Sequence, residues 1–359
     1  MNKVFIITNF KTMARIIGRG YSFDDVLVVP KYNRIVSRRD VSFQTQVTKN
    51  YKIDIPLLAA NMDTVCESEL AIALGRLGGL GVVHRFMSIE DQVKEIKRVK
   101  ENKLLAAAAI GIKDYEERIM ALSQVEVNIL VLDVAHGHSK RVGKTLDYIK
   151  EHYPQIDVMV GNVATKDAAE YFISKKADAI KIGIGPGSMC TTRIMAGAGV
   201  PQLTAIMDVY EASQGRVPLC ADGGLKNSGD IVKAIGAGAD CIMSGSFFSG
   251  TKESPGEIIK IDDKEYKEYR GMASYLATVK KMKLDGSKVE EVVHVEGEMT
   301  KIPYKGSIIP IVNRLLGGLA SGMTYVGADT IEKLKGKADF AEISGAGYHE
   351  SEAHGLREI

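Results

Sequence analysis

From about residue 55 the chain alternates short, nearly continuous apolar runs with longer amphipathic stretches, and the runs end in Gly, Asn, Asp or His. Eight runs follow this pattern, at 55–61, 79–84, 104–111, 127–133, 157–162, 179–183, 218–222 and 241–245. Runs apolar at almost every position, rather than every second one, predict parallel strands buried on both faces. The stretches between them carry helix signals. Ser88 precedes Val93, Ile96 and Val99 at helical spacing, with Asp91 placed to complete a capping box. Thr165 and Ser228 are the expected caps of two later helices. A small-residue turn recurs as Lys176-Ala-Asp-Ala-Ile and Gly238-Ala-Asp-Cys-Ile, each closing a helix and opening a strand.

Eight strand–helix units in succession predict an α/β fold, a closed (β/α)8 TIM barrel forming one domain over 1–359. An open Rossmann-like sheet would instead call for a GxGxxG motif opening the first helix, and for fewer units. One stretch breaks the rhythm. Residues 259–304, after the eighth strand, are rich in Lys, Glu and Asp. A long polar insert at the strand-end face reads as an active-site flap, the alternative being a disordered surface loop. The helical pattern resumes over 308–319, and the tail beyond Phe340 is polar.

The composition narrows the function classes. A hydrophobic fraction of 45% allows a substantial core, and 47 basic against 45 acidic residues leave a net charge of +2. That balance provides no broad electrostatic footprint for nucleic acid or an acidic membrane, so any phosphate binding must be local. The apolar run at 4–8 is interrupted by Asn9 and Lys11, too soon for a signal core or a membrane span. No later run is long enough to cross a bilayer, so a soluble cytoplasmic protein is expected. Cys66, Cys190, Cys220 and Cys241 are widely spaced, with no CxxC pair, and read as reduced thiols.

In a barrel the chemistry sits at the C-terminal strand ends. The seventh and eighth loops offer Gly223, Gly224, Gly245 and Ser246, whose amides can approach an anion closely. At the sixth, three glycines and a proline precede Cys190-Thr-Thr-Arg193. A thiol there would lie near backbone donors and Arg193, which favour the thiolate. Cys220 and Cys241, inside strand runs, read as packing, as Cys66 does in one of its readings. His136 and His138 have no carboxylate or thiol cluster beside them and read as loop or ligand-contact residues rather than metal ligands.

Gly183-Ile-Gly-Pro-Gly-Ser-Met-Cys-Thr-Thr-Arg193, Asn61-Met-Asp-Thr-Val65, Ala135-His-Gly-His-Ser139, Asp222-Gly-Gly224 and Tyr325-Val-Gly-Ala328 together resemble the IMP dehydrogenase/GMP reductase family, from about Tyr21 to the tail. The resemblance implies a tetrameric barrel without nucleic-acid or membrane partners, whose cysteine bonds to purine C2 while a nicotinamide cofactor exchanges hydride. It implies catalytic roles for Cys190, Thr192 and Glu296. It places the nucleotide, GMP or IMP, on Ser188, Asp222, Gly223, Gly224, Gly245, Ser246, Gly271, Met272 and Ser274. The cofactor falls near Arg85, Asp133, Val134, Ala135, Ile184, Gly185, Ser321 and Tyr325. A monovalent cation, K+, would take the carbonyls of Gly185, Gly187 and Cys190.

Dehydrogenases of this family activate water with an Arg-Tyr pair on the flap, and residues 282–295 contain neither residue. Lys283 and Lys288 are poor substitutes, because an ammonium donates rather than accepts near neutral pH. Reductases use a threonine and a flap glutamate, which Thr192 and Glu296 match. Ala59-Ala-Asn-Met-Asp63, Asp133-Val-Ala135 and Thr324-Tyr-Val-Gly327 also look reductase-like, and no regulatory domain pair follows the second strand. The tail Ser344–Ser351, Met207-Asp-Val-Tyr210 and Gly250–Pro255 look more like dehydrogenase segments. The expectation is an NADPH-dependent GMP reductase. The alternatives are an IMP dehydrogenase with an atypical flap and a non-catalytic nucleotide-binding regulator.

Overall fold

A computed structural model describes residues 14, 16–113, 115–284 and 295–352. The apolar run at 4–8, Asp285-Gly-Ser and Lys288 lie outside them. Eight parallel strands form the centre: Leu57–Ala59 (β1), Leu80–Val83 (β2), Ala107–Ile110 (β3), Ile129–Asp133 (β4), Asp157–Val163 (β5), Ala179–Ile182 (β6), Leu219–Asp222 (β7) and Cys241–Ser244 (β8). Each falls within or against one of the eight apolar runs. They close into a barrel in sequence order, the last strand meeting the first through Ile242↔Leu57, Met243↔Leu58 and Ser244↔Ala59.

The continuous apolar character follows from two separate cores. Alternate residues face opposite sides of a strand. Leu57, Ala59, Leu130, Leu132, Ile180 and Ile182 pack outward under the helices. Leu58, Ile129, Val131, Ala179, Cys220 and Met243 fill the barrel interior. A two-stranded hairpin, Thr45–Gln46 with Lys52–Ile53, closes the N-terminal end. Its Val47 and Ile53 join the interior cluster, and its Thr48 hydroxyl donates to Asp157 at 2.6 Å.

The outer layer comprises helices Ser68–Arg76 (α1), Ile89–Glu101 (α2), Tyr115–Gln124 (α3), Lys140–His152 (α4), Lys166–Ser174 (α5), Gln202–Ser213 (α6), Ser228–Gly236 (α7) and Ile308–Tyr325 (α8). The Ser88 hydroxyl accepts from the Asp91 amide at 3.0 Å, and that of Thr165 from the Ala168 amide at 3.4 Å. The third cap differs by one residue. Asn227, not Ser228, is the cap of α7, because its side-chain oxygen reaches the Asp230 amide at 3.1 Å. No helix among the described residues is long and apolar enough to cross a membrane.

Most of the polar insert lies among the described residues. Ile259–Ile261 (β9), Lys264–Arg270 (β10) and Met299–Pro303 (β11) form an antiparallel sheet, with a helix at Tyr275–Leu284 between the last two strands. The polar tail contributes a strand too: Phe340–Glu342 pairs antiparallel with Val26–Val28 near the other terminus.

Candidate active site

A cavity of about 510 Å³ opens at the C-terminal strand ends, walled on one side by the insert. Cys190 lies exposed in it after the glycine loop. The Sγ donates to Thr192 Oγ1 at 3.1 Å, and Thr192 Oγ1 donates to Glu296 Oε2 at 2.7 Å. Three backbone bonds hold Glu296 there. Thr191 N donates to Glu296 O at 3.0 Å, Glu298 N to Met189 O at 2.9 Å, and Glu296 N to Ala273 O at 3.0 Å. The cysteine loop and the insert therefore register against each other by main-chain pairing, not side chains alone.

The glycine loop is held from beneath. Arg193 Nε donates to the Ile184 carbonyl at 3.0 Å and its Nη2 to the Val200 carbonyl. Burial, partly opposed by the neighbouring Cys190, pulls Arg193 below its ordinary value, though an arginine remains cationic at any physiological pH. Gly183 passes so near the seventh strand that a Cβ on it would sit 2.2 Å from the Asp222 carbonyl. The other three thiols are buried. Burial drives Cys66 far above the ordinary thiol range, and a hydrogen bond with Cys220, then burial, does the same for Cys241. These thiols are packing residues, as expected.

The eighth loop meets the insert at Gly245. A Cβ on Gly245 would lie 2.8 Å from the Tyr269 hydroxyl, and that hydroxyl is 3.2 Å from Ser188 Oγ. Burial, partly opposed by the Ser188 hydrogen bond, raises the Tyr269 pKa, so the phenol is neutral, and either hydroxyl of the pair can be the donor. Asp222 lies at the seventh strand end, where its Oδ2 accepts from Asn162 at 2.9 Å and from Lys181 at 2.6 Å. Across the cavity Arg85 Nε stands 3.5 Å from Asp133 Oδ2.

The insert is fastened to the first strand's loop by a buried ion pair. Arg270 forks onto both carboxylate oxygens of Asp63, whose side chain is fully buried, and Lys280 approaches the same carboxylate at 3.6 Å. Burial alone would raise the Asp63 pKa. The hydrogen bond and charge of Arg270, with His84 and Lys280, outweigh it and hold the carboxyl below its ordinary value.

A model of the IMP dehydrogenase / GMP reductase domain matches residues 20–354. The chain belongs to the IMP dehydrogenase / GMP reductase family. The family comprises oxidoreductases of purine metabolism that use a nicotinamide nucleotide. The inosine-5'-monophosphate dehydrogenase of Borreliella burgdorferi is 41% identical, over 96% of this chain and 99% of that protein. The corresponding enzyme of Cryptosporidium parvum is 40% identical over 94% and 96%. Among solved structures, a GMP reductase variant from Trypanosoma brucei in complex with guanosine 5'-monophosphate matches with a TM-score of 0.90. It is 30% identical, and the match covers 95% of this chain and 99% of that one.

With the family in place, the residues singled out from sequence can be located. The cavity wall includes Cys190, Thr192 and Glu296. It also includes Ser188, Asp222, Gly223, Gly224, Gly245, Ser246, Gly271 and Met272, together with Arg85, Asp133, Val134, Ala135, Gly185 and Gly187. Four others stand apart from the wall. The Ile184 side chain packs against the core. Ser274 is buried just before the insert helix, and its hydroxyl has no protein partner. Ser321 and Tyr325 lie on α8, which packs against α7 outside the barrel, and Tyr325 is 61% exposed. His136 and His138 belong to no group of metal-ligating side chains among the described residues.

Sequence reasoning missed Lys181, Tyr269 and Lys226 on the same wall. For Lys181 a signal existed: it is the one charged residue in Ala179-Ile-Lys-Ile182, and Ala179 already faces inward. Tyr269 gives no such local signal, since β10 is polar along its length.

Proposed function

We propose that this protein is a GMP reductase, converting GMP to IMP and ammonia with NADPH. The observation that carries the reading is the continuous Cys190–Thr192–Glu296 hydrogen-bonded chain, with distances of 3.1 and 2.7 Å. The Trypanosoma brucei reductase bound to guanosine 5'-monophosphate supports the same nucleotide.

In this reading the phosphate lies on Ser188, Gly223, Gly224, Gly245 and Ser246, with Tyr269 donating beside them. The ribose faces the Asp222 oxygen that Lys181 leaves free, and the base lies along Gly271 and Met272. Ser274, buried just beyond them, belongs to the same nucleotide subsite. The Cys190 thiolate adds to C2. Glu296, acting through the Thr192 hydroxyl, delivers the proton with which the 2-amino group leaves as ammonia. Collapse of the adduct after C2 has been reduced expels the thiolate and frees IMP. Atoms balance as GMP plus hydride plus one proton giving IMP plus ammonia.

The residues of the cavity suit a nicotinamide nucleotide. Arg85 Nε is buried without a hydrogen-bond partner, a donor available to a carboxamide or phosphate, beside Asp133, Val134, Ala135 and Gly185. Bound there, NADPH supplies the hydride that C2 accepts. Ile184 contributes to this subsite through its backbone. Ser321 and Tyr325 lie off the cavity wall, so a cofactor role for them requires a second copy, in line with the proposed homotetramer. A monovalent cation on the carbonyls of Gly185, Gly187 and Cys190 belongs to the same reading. The Gly187 carbonyl already accepts the Cys190 amide at 3.0 Å, but a carbonyl oxygen has a second lone pair, so the set fits a cation that stiffens the loop.

A second reading, IMP dehydrogenase, is favoured by the 41% and 40% identities to dehydrogenases. Against it, the chain has no Arg-Tyr pair across 282–295, the pair with which dehydrogenases of the family activate water. Purified protein incubated with GMP and NADPH, and separately with IMP and NAD, decides between them. NADPH oxidation with GMP is expected. NAD reduction with IMP and silence with GMP would overturn it.

A further inference from the structure

Lys181 sits where no charge is expected. On β6, Ile180 and Ile182 face the helices while Ala179 faces the barrel interior, so the parity of the strand turns Lys181 inward too. Its side chain is 2% exposed. The Nζ donates to Asp222 Oδ2 at 2.6 Å and to Asn162 Oδ1, with Asp133 Oδ1 at 3.8 Å. The opposite oxygen of Asp133 is 3.5 Å from Arg85 Nε. Four charges of alternating sign, Arg85, Asp133, Lys181 and Asp222, thus cross the barrel mouth. Burial disfavours the ammonium, but the two carboxylates outweigh it and raise the Lys181 pKa.

We propose that Lys181 is a positioning residue that couples the nucleotide and cofactor subsites by sharing one ammonium between Asp222 and Asp133. The inference rests on the reading above, in which Asp222 faces the ribose while Asp133 and Arg85 face the nicotinamide end. A nucleotide whose hydroxyls donate to Asp222 Oδ1 draws charge away from Oδ2, which holds Lys181. The ammonium then shifts its pull toward Asp133, which changes the field that this carboxylate and the Arg85 guanidinium 3.5 Å from it present to the cofactor. Coupling of this kind must be reciprocal, so each ligand tightens the other by the same factor. Direct contact between Lys181 and either ligand is not required.

The test uses the full chain and a pair that cannot turn over. GMP affinity is measured calorimetrically with and without saturating NADP+ in wild type, Lys181→Met and Lys181→Arg, with thermal unfolding as the control for folding. Wild type should gain about fivefold or more in GMP affinity, the lower end of typical coupling. Lys181→Met should bind GMP with a coupling factor within about twofold of unity. Lys181→Arg, which keeps the charge, should retain coupling. Undiminished coupling in folded Lys181→Met overturns the proposal, as does its loss in folded Lys181→Arg or its absence from wild type. Should Lys181→Met fail to fold, Lys181→Gln takes its place as the neutral variant, with the same expected loss of coupling. If wild type binds IMP but not GMP, the reductase reading fails by itself, and the same measurement with IMP and NADH tests Lys181. Binding of neither nucleotide overturns both.

Discussion

Thr192 and Glu296 stand 104 residues apart in the chain and 2.7 Å apart in space, the hydroxyl donating to the carboxylate. The pair joins the glycine loop of the sixth strand to the insert after the eighth. Main-chain bonds from Thr191 and Glu298 hold it in register. The carboxylate therefore reaches the thiol only through the Thr192 hydroxyl, an arrangement suited to delivering a proton one step away from the nucleophile.

Replacing Glu296 by Gln keeps the shape and removes the proton source. General acid catalysis contributes roughly 10²–10⁴-fold, and kcat for GMP reduction should fall by about that factor with little change in GMP binding. Steady-state kinetics with calorimetric GMP affinity checks this. An unchanged kcat would remove Glu296 from the mechanism.

In the proposed mechanism the thiol carries the covalent step and the phosphate lies elsewhere on the wall, so Cys190→Ala should abolish turnover while GMP still binds. Persistent turnover at the wild-type rate would exclude a covalent route in either enzyme of the family. Mass spectrometry of the intact protein after mixing with GMP gives a second view, as no adduct can form on the variant.

The Asp63–Arg270 pair fixes the insert strand that runs into Gly271 and Met272. Breaking a buried pair by neutralising one partner costs about 3–5 kcal/mol, so Asp63→Asn should lower the melting temperature and raise the KM for GMP. The native Asp63 carboxyl is held below its unfolded value. Its stabilisation is accordingly present above about pH 4 and is lost as pH falls through the lower native value. Acid unfolding of the wild type followed by circular dichroism should steepen in that window, and the Asn variant should lack this component.

Tyr269→Phe deletes one hydroxyl beside Ser188 and the Gly245 loop. Losing a hydrogen bond to a charged group is worth about 1.5–3 kcal/mol, so kcat/KM for GMP should drop roughly tenfold or more, mainly through KM. A drop confined to kcat would argue that Tyr269 does not face the phosphate.

Gly183 lies at φ +143, a backbone region costly for other residues, with the Asp222 carbonyl in the way of any Cβ. Gly183→Ala should destabilise by about 1–3 kcal/mol, the usual cost of overpacking. It should also displace Asp222 and so weaken nucleotide binding. Denaturant unfolding and GMP titration measure the two effects separately.

The sequence by itself determined the eight strands, the helices between them and the glycine-rich loop before Cys190. Those depend on local properties: burial on both faces writes a continuous apolar run such as 127–133, and the glycines before Cys190 announce a tight turn wherever they lie. Tertiary structure decided which distant groups meet. Closure of the barrel set the parity that turns Lys181 toward Asp222 and Asp133, and the pairing of the insert brought Tyr269 to Ser188 and Arg270 to Asp63. The same packing put Ser321 and Tyr325 on an outer helix, away from the cavity their motif had suggested. A side chain's type and periodicity are carried by its neighbours in the chain. Its hydrogen-bond partner depends on how remote strands and loops are registered, which these short-range patterns do not encode.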